Sequence, residues 1–122
     1  MTVGAVNCPF CQRIAHAEVD YVYRDLHCDV VRFPPLNPVT PGHMLFVPVG
    51  HREHHDPSAV AAAMGYAESW ASGRGHDYNL ITSSGSAATQ TIPHIHVHYV
   101  PRRQGDGLHL PWTLRGEEST DA

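Results

Sequence analysis

The sequence predicts an α+β domain, and three observations carry the prediction. Five short runs rich in Val, Ile, Tyr and Phe read as strands. One Ala-rich run reads as the single clear helix. A hydrophobic content of 42% over 122 residues is enough for one core and little more. The strand runs are residues 17–22, 27–33, 44–48, 77–83 and the stretch from His94 to Val100; the helix runs from Ser58 to Gly73.

Composition narrows the function classes. A formal charge of −4 argues against bulk binding to a nucleic-acid backbone. No run is long or apolar enough for a membrane span, and the N-terminus lacks the basic-then-apolar pattern of a secretory signal. Three cysteines, an odd number, suit a reducing compartment better than a disulfide framework. A cytoplasmic protein with neither nucleic-acid nor membrane partners is therefore expected.

Residues 1–7 read as a flexible lead. Cys8-Pro9-Phe10-Cys11 follows. Two thiolates spaced this way can share one tetrahedral zinc, or can serve thiol–disulfide chemistry. The redox motif normally follows a strand, for which there is no room here, so zinc is the better reading. Tyr21-Val22-Tyr23 and Val30-Val31-Arg32-Phe33 mark the first two strands, with Arg24-Asp25 as a polar turn between them. Cys28, beside the second strand, reads as a buried, inert thiol.

Residues 34–43 form a proline-stiffened loop ending in Pro41-Gly42-His43. The next strand, 44–48, is almost continuously apolar, as strands covered on both faces are. Three histidines follow it, His51, His54 and His55. Pro57 and Ser58 suit a helix start, and Val60, Met64, Ala67 and Trp70 form an apolar stripe at helical spacing. That stripe is expected in the core or at a subunit contact. After the strand 77–83, the small residues of 84–89 would let phosphate oxygens approach backbone N–H groups.

The run Gln90-Thr91-Ile92-Pro93-His94-Ile95-His96-Val97-His98-Tyr99-Val100-Pro101-Arg102 carries the chemistry. Read as a strand, it sends His94, His96 and His98 to one face and Ile95, Val97 and Tyr99 to the other, into a core. A row of imidazoles near neutral pH can attack, donate or bind metal.

This run resembles the signature of the histidine-triad (HIT) family of nucleotidyl hydrolases and transferases, in which three histidines alternate with apolar residues. Gln90 and Pro101-Arg102 also match, and Pro41-Gly42-His43 resembles the family's second signature. The N-terminal cysteine pair is similar to that of the zinc-binding branch. The resemblance implies a single HIT-like domain over residues 1–122, with about five antiparallel strands and one main helix. It also implies a homodimer and no organic cofactor. The tail, 113–122, is expected to be mostly flexible, and the segment from Gly105 to Trp112 to pack on a partner subunit and influence leaving-group choice.

By the same resemblance, His96 is the nucleophile that takes a nucleotide from a phosphoramidate, an adenylate or a dinucleoside polyphosphate. His98 bonds the phosphate oxygens and His43 supports it. Gln90, Thr91 and Ser83 are candidate substrate contacts. The zinc is structural, held by Cys8, Cys11, His51 and His94, with His54 and His55 competing for the third position. Three departures stand out. Ser83 stands where the family commonly has an Asn or Gln that contacts the phosphate, and it is shorter. Pro35 replaces an acidic residue or Asn that holds the ribose hydroxyls, leaving Asn37 as a nearby candidate contact at a non-matching position. Thr89 replaces a glycine, a mild departure. Two rival readings are a zinc-dependent hydrolase or metal-binding module with His94 and His96 as joint ligands, and a weakly catalytic nucleotide-binding regulator.

Overall fold

The computed structural model describes residues 7–16, 20–23, 29–51 and 56–113. The elements in chain order are helix α1 (Pro9–Ala15), strands β1 (Asp20–Tyr23), β2 (Val30–Phe33) and β3 (Met44–Pro48), helix α2 (Pro57–Ser72), and strands β4 (Tyr78–Ile81) and β5 (Val97–Pro101), with a 3₁₀ turn at Ser86–Ala88 before β5. The strands form one antiparallel sheet in the order β1-β2-β3-β5-β4. The α+β, five-stranded expectation therefore holds. No helix among the described residues is long and apolar enough to cross a membrane.

The pleat divides the sheet's residues between two helices. Val31, Phe33, Leu45 and Val47 face α1 and pack with Cys8, Phe10 and Cys11. Val30, Phe46, Val97 and Tyr99 face α2 and pack with Ala63, Ala67 and Ala71. β3 is covered on both sides, as its unbroken apolar run requires. Register sets His98 opposite Leu45 of β3 on one side and Ile81 of β4 on the other. His98 thus shares the α1 face of the sheet, near its centre.

Four expectations need correction. The chain has a second helix, α1, around the cysteine pair. Pro9 occupies its first turn, where a missing N–H costs nothing, and Cys8 caps it by accepting the Cys11 N–H on sulfur at 3.4 Å. Cysteine is outside the usual N-cap set, so the start carried no ordinary signal. Second, the fully buried stripe of α2 is Ala59, Ala63, Ala67 and Ala71; of the expected stripe, Ala67 belongs to it, Met64 and Trp70 are half-buried and pack against the same core, and only Val60 lies outside that cluster. Small residues bring the helix axis close to the sheet. Trp70 meets core residue Phe46 edge-on at 6.3 Å and also carries two cations, with the Arg32 and Arg74 guanidinium carbons 3.9 and 3.5 Å from its ring centroid.

Third, β5 begins at Val97, three residues later than expected. The His94 N–H closes a tight turn to the Ile92 carbonyl at 2.8 Å, and the His96 carbonyl accepts from the Thr82 hydroxyl at 2.8 Å. A side chain thus takes over where the backbone ladder ends. Fourth, β4 is confined to Tyr78–Ile81, inside the expected 77–83. The expectations for residues 1–6, 17–19, 24–28 (including Arg24, Asp25 and Cys28), His54, His55 and 114–122 fall outside the described residues.

Candidate active site and metal centre

Two constellations meet at His94. The first is a cluster of Cys8, Cys11, His51 and His94, whose ligand atoms all lie within 4.8 Å of one another. The His94 Nδ1 is 3.3 Å from the Cys8 sulfur and 3.5 Å from that of Cys11; His51 Nδ1 is 3.3 Å from Cys11. A tetrahedral zinc with bonds of about 2.3 Å to sulfur and 2.0–2.1 Å to nitrogen sets neighbouring donors about 3.3–3.8 Å apart. These three separations suit that geometry. Cys8, Cys11 and His94 are buried and His51 is half-buried.

The tautomer of His94 suits a ligand. Its Nε2 lies 2.8 Å from the Pro48 carbonyl, which can only accept, so Nε2 carries the proton and Nδ1 presents its lone pair to the cysteines. Four donors of two kinds, two thiols and two imidazoles, fit zinc and would fill its coordination sphere.

The second constellation is the row of histidines. Phe10 of α1 covers it, with ring centroids 5.9 Å from His94 and 5.0 Å from His96 in edge-on contact. His96 and His98 stack edge-on at 5.0 Å. Within β5 the expected partition holds, with Val97 and Tyr99 buried on the α2 side; Ile95, ahead of the strand, is also buried. The histidine face is itself largely covered, with His94 and His96 8% exposed or less.

Backbone partners fix the protons. His96 Nδ1 lies 2.7 Å from the His94 carbonyl and must donate to it, so Nε2 of the neutral ring carries the lone pair. The Val39 N–H donates to His43 Nδ1 at 3.1 Å, so His43 carries its proton on Nε2. That Nε2–H donates to His98 Nδ1 at 2.9 Å, which leaves His98 protonated on Nε2. Two unambiguous main-chain groups therefore set a nucleophilic nitrogen on His96 and a donor on His98. Burial, reinforced by the neighbouring His96 and His43, lowers His98 to about 4; burial also lowers His43. Both rings are thereby held neutral at pH 7.

Two cavities share His96, His98 and Thr89 in their walls. The larger, about 400 Å³, is lined by Phe10, Leu36, Leu45 and Ile92 with Pro35, Asn37 and Thr91. The smaller, about 280 Å³, includes His43, Ser83, Ile81, Arg102 and residues 108–110. The structure thus brings Asn37, Thr91, Ser83, His43, His96 and His98 around one cleft. Gln90 lines neither cavity. Its Oε1 accepts the Gly85 N–H at 2.8 Å, bracing the 85–90 turn, and its buried Nε2 has no partner among the described residues.

Sequence reasoning missed Phe10 and Arg13 as cleft residues; it had marked the segment from Gly105 to Trp112 for an influence on leaving-group choice, and Leu108, His109 and Leu110 of that segment line the smaller cavity. Phe10 had a signal, since an aromatic between two ligating cysteines must lie beside whatever the second pair of ligands brings.

Comparisons with known proteins give a consistent picture. The HIT domain family model matches residues 16–105. An uncharacterized HIT-like protein of Methanocaldococcus jannaschii is 33% identical over 109 residues, covering 82% of each chain. An adenylylsulfatase of Arabidopsis thaliana is 32% identical over 118 residues, covering 89% of this chain and 59% of that protein. Among solved structures, a zinc-bound histidine triad family protein from Mycobacterium smegmatis superposes with a TM-score of 0.66 at 34% identity, covering 88% of this chain and 83% of that one. A HIT family hydrolase from Clostridium thermocellum reaches 0.68 at 27% identity, covering 88% of this chain and 100% of that one.

Proposed function

This chain belongs to the HIT family, and on that premise we propose that it is a nucleotidyl hydrolase or transferase working through a covalent nucleotidyl-histidine. The observation that carries the reading is the hydrogen bond from His96 Nδ1 to the His94 carbonyl, which sets a lone pair on Nε2. That nitrogen attacks the α-phosphorus of a nucleoside phosphoramidate, adenylate or dinucleoside polyphosphate. A nitrogen–phosphorus bond forms as the bond to the leaving group breaks, and the leaving group departs with the electron pair and gains a proton. Water, or another acceptor, then attacks phosphorus and restores His96.

His98 donates its Nε2–H to the phosphate oxygens and offsets their developing charge. His43 orients His98. The larger cavity takes the nucleoside between Phe10, Leu36 and Ile92, with Asn37 and Thr91 as polar contacts. Ser83 faces the phosphate from the smaller cavity, and Gln90 supports the site indirectly by bracing the 85–90 turn. Pro35 lines the nucleoside cavity without a ribose acceptor, which supports weaker selection of the sugar.

Zinc held by Cys8, Cys11, His51 and His94 serves structure, because four protein donors leave no position for substrate. This argues against a His94–His96 metal hydrolase: His94 faces the cysteines, and His96 is not in the ligand cluster. The working form is a cytoplasmic homodimer, consistent with reduced cysteines at positions 8 and 11.

The test is turnover of adenosine phosphoramidate, a lysine-linked adenylate and a dinucleoside tetraphosphate by wild type and His96→Ala. The wild type turns over at least one, and the variant none. Full activity in the variant rejects the nucleophile; an inert wild type that still binds nucleotide makes the protein a regulator.

A further inference from the structure

Each cavity has an arginine in its wall, and the two guanidinium groups are engaged differently. Arg102, in the smaller cavity, is occupied inside the protein. Its Nε donates to one Asp106 oxygen at 2.8 Å, and one terminal nitrogen donates to the other oxygen at 3.1 Å and to the Leu108 carbonyl at 2.9 Å. The second terminal nitrogen donates to the Asn79 side-chain oxygen on β4 at 2.6 Å. Asp106 thereby holds the turn that follows β5 and matches the cation's charge. Arg13, in the larger cavity, has one such bond, from Nη1 to the Pro34 carbonyl at 2.9 Å. Its other hold is the Phe33 ring, whose centroid lies 4.3 Å from the guanidinium carbon. Among the described residues its buried Nε–H has no acceptor and its charge has no carboxylate partner.

The lining of the larger cavity is as telling as the cation. None of the described residues that line it is acidic, and Arg13 is the one lysine or arginine among them. Pro35 follows the residue that anchors Arg13, and its side chain offers neither donor nor acceptor. Free ribose hydroxyls donate, and a carboxylate meets them best; a phosphate accepts on every side and pairs with a guanidinium. This wall therefore fits a sugar that carries a phosphate better than one with a bare diol. Arg13 is also set apart from the proposed nucleophile. It lies on Phe33, Phe33 meets Phe10 edge-on at 5.4 Å, and Phe10 meets His96 edge-on at 5.0 Å. The cation and His96 stand at the two ends of this aromatic stack, so a phosphate at His96 leaves the Arg13 end for another.

We propose that Arg13 is a specificity-determining residue that binds a second phosphate, on the 2′ or 3′ oxygen of the ribose, and so directs the larger cavity to nucleoside bisphosphate groups. The inference rests on the reading that this cavity takes the nucleoside, and it is independent of covalent chemistry at His96. The Nη2 donors of Arg13 have no protein acceptor among the described residues and are the ones offered to the phosphate. The competing occupant is a guanine edge, which also presents two acceptors to arginine. Guanine carries an N2 amino donor as well, and no carboxylate lines the cavity to receive it. The phosphate needs no such acceptor and is the better match.

The experiment uses the zinc-loaded full chain as wild type, Arg13→Met and Arg13→Lys. Methionine keeps an unbranched apolar stem over Phe33, and lysine keeps the charge. Calorimetric titration gives the affinities of AMP, ADP, GMP, adenosine 2′,5′-bisphosphate and adenosine 3′,5′-bisphosphate, and urea unfolding gives the stability of each variant. The wild type binds one of the bisphosphates more tightly than AMP by about tenfold or more, the worth of a charge-assisted hydrogen bond. Arg13→Met loses that preference and binds AMP as the wild type does, and Arg13→Lys keeps part of it. ADP, with its extra charge at the 5′ end, binds all three proteins alike. Equal wild-type affinity for AMP and both bisphosphates overturns the proposal and leaves the nucleoside reading intact. A preference for GMP over AMP that Arg13→Met abolishes gives the residue to the base edge and overturns it. A loss of ADP affinity equal to that of the bisphosphates makes Arg13 a general attractor of anions and overturns it. A lower urea midpoint in Arg13→Met with affinities unchanged makes Arg13 a structural cation on Phe33 and overturns it. A wild type that binds none of the five removes the nucleoside reading and the proposal with it.

Discussion

The carbonyl of His94 accepts the Nδ1–H of His96 at 2.7 Å while the His94 ring faces the sulfur atoms of Cys8 and Cys11. One residue therefore belongs to two centres, through its side chain to the metal cluster and through its main chain to the ring proposed to attack phosphorus. A metal on the cluster would pin α1, His51 and the start of the histidine run at once. Zinc is thus expected to stabilise the fold strongly. Metal-free protein supplied with zinc at a thousandfold its Kd should gain about 4 kcal/mol in urea unfolding. Cys11→Ser should lose that gain, whereas His96→Ala should keep one zinc per chain by metal analysis. Loss of zinc from His96→Ala would return His96 to the ligand set.

Stability should fall in mild acid for a reason that lies in His98. Burial, with His96 and His43 adding to it, lowers His98 to about 4, against an ordinary value of about 6.5 in an unfolded chain. Between those two values the unfolded chain takes up a proton that the folded ring refuses. The stabilisation is complete above about pH 6.5 and is lost as pH falls toward 4. His43, also lowered by burial, acts in the same direction. Urea midpoints at pH 7.5 and pH 5 check this. The wild type should drop more than His98→Gln, and equal drops would dismiss the assignment.

Much of this arrangement was legible because it follows from short-range rules. The apolar run 44–48 gave β3 its observed bounds, Met44–Pro48, and strict alternation separated His96 and His98 from Val97 and Tyr99. The ligand cluster followed from the Cys8–Cys11 spacing together with resemblance. What stayed hidden depended on distant partners. Gln90 braces the turn at Gly85 instead of lining a cavity. The role of Asp106 exists only because Arg102 and Asn79 converge on the same turn. Sulfur capping of α1 by Cys8 has no entry in ordinary helix-start rules.

The face of α2 was read partly: Ala67, Met64 and Trp70 meet the core as expected, while Val60 was included and the small residues Ala59, Ala63 and Ala71 were overlooked because large apolar residues were weighted over small ones. Ala63 is fully buried against the cluster containing Val30, Phe46, Val97 and Tyr99. An isobutyl side chain in place of the methyl has no room there, so Ala63→Leu should cost about 1–3 kcal/mol by overpacking. Val60 is only half-buried, and Val60→Ala should cost about 0.5–1 kcal/mol. Chemical denaturation of the two variants decides between the faces. A larger loss in Val60→Ala would restore the stripe of Val60, Met64, Ala67 and Trp70.

Thr89 offers the converse case, a position where less side chain should help. It is the only non-glycine among the described residues with positive φ, at 67° with ψ of 29°. A β-branched side chain is poorly suited to that left-handed region, and the strain is on the order of 1–2 kcal/mol. By resemblance to the family, threonine here is a mild departure from glycine; the backbone makes it a costly one. Glycine adopts the same φ without strain but loses about 0.5–1 kcal/mol more chain entropy on folding. Thr89→Gly should therefore stabilise the protein by about 0.5–1 kcal/mol in urea unfolding. Because Thr89 lines both cavities beside His96 and His98, the strained residue sits where strain is tolerated for function. Thr89→Gly should therefore also lower turnover of the substrate panel. A variant that gains stability with turnover intact would make the strain incidental, and one that loses stability would show that the surrounding turn does not need the left-handed conformation.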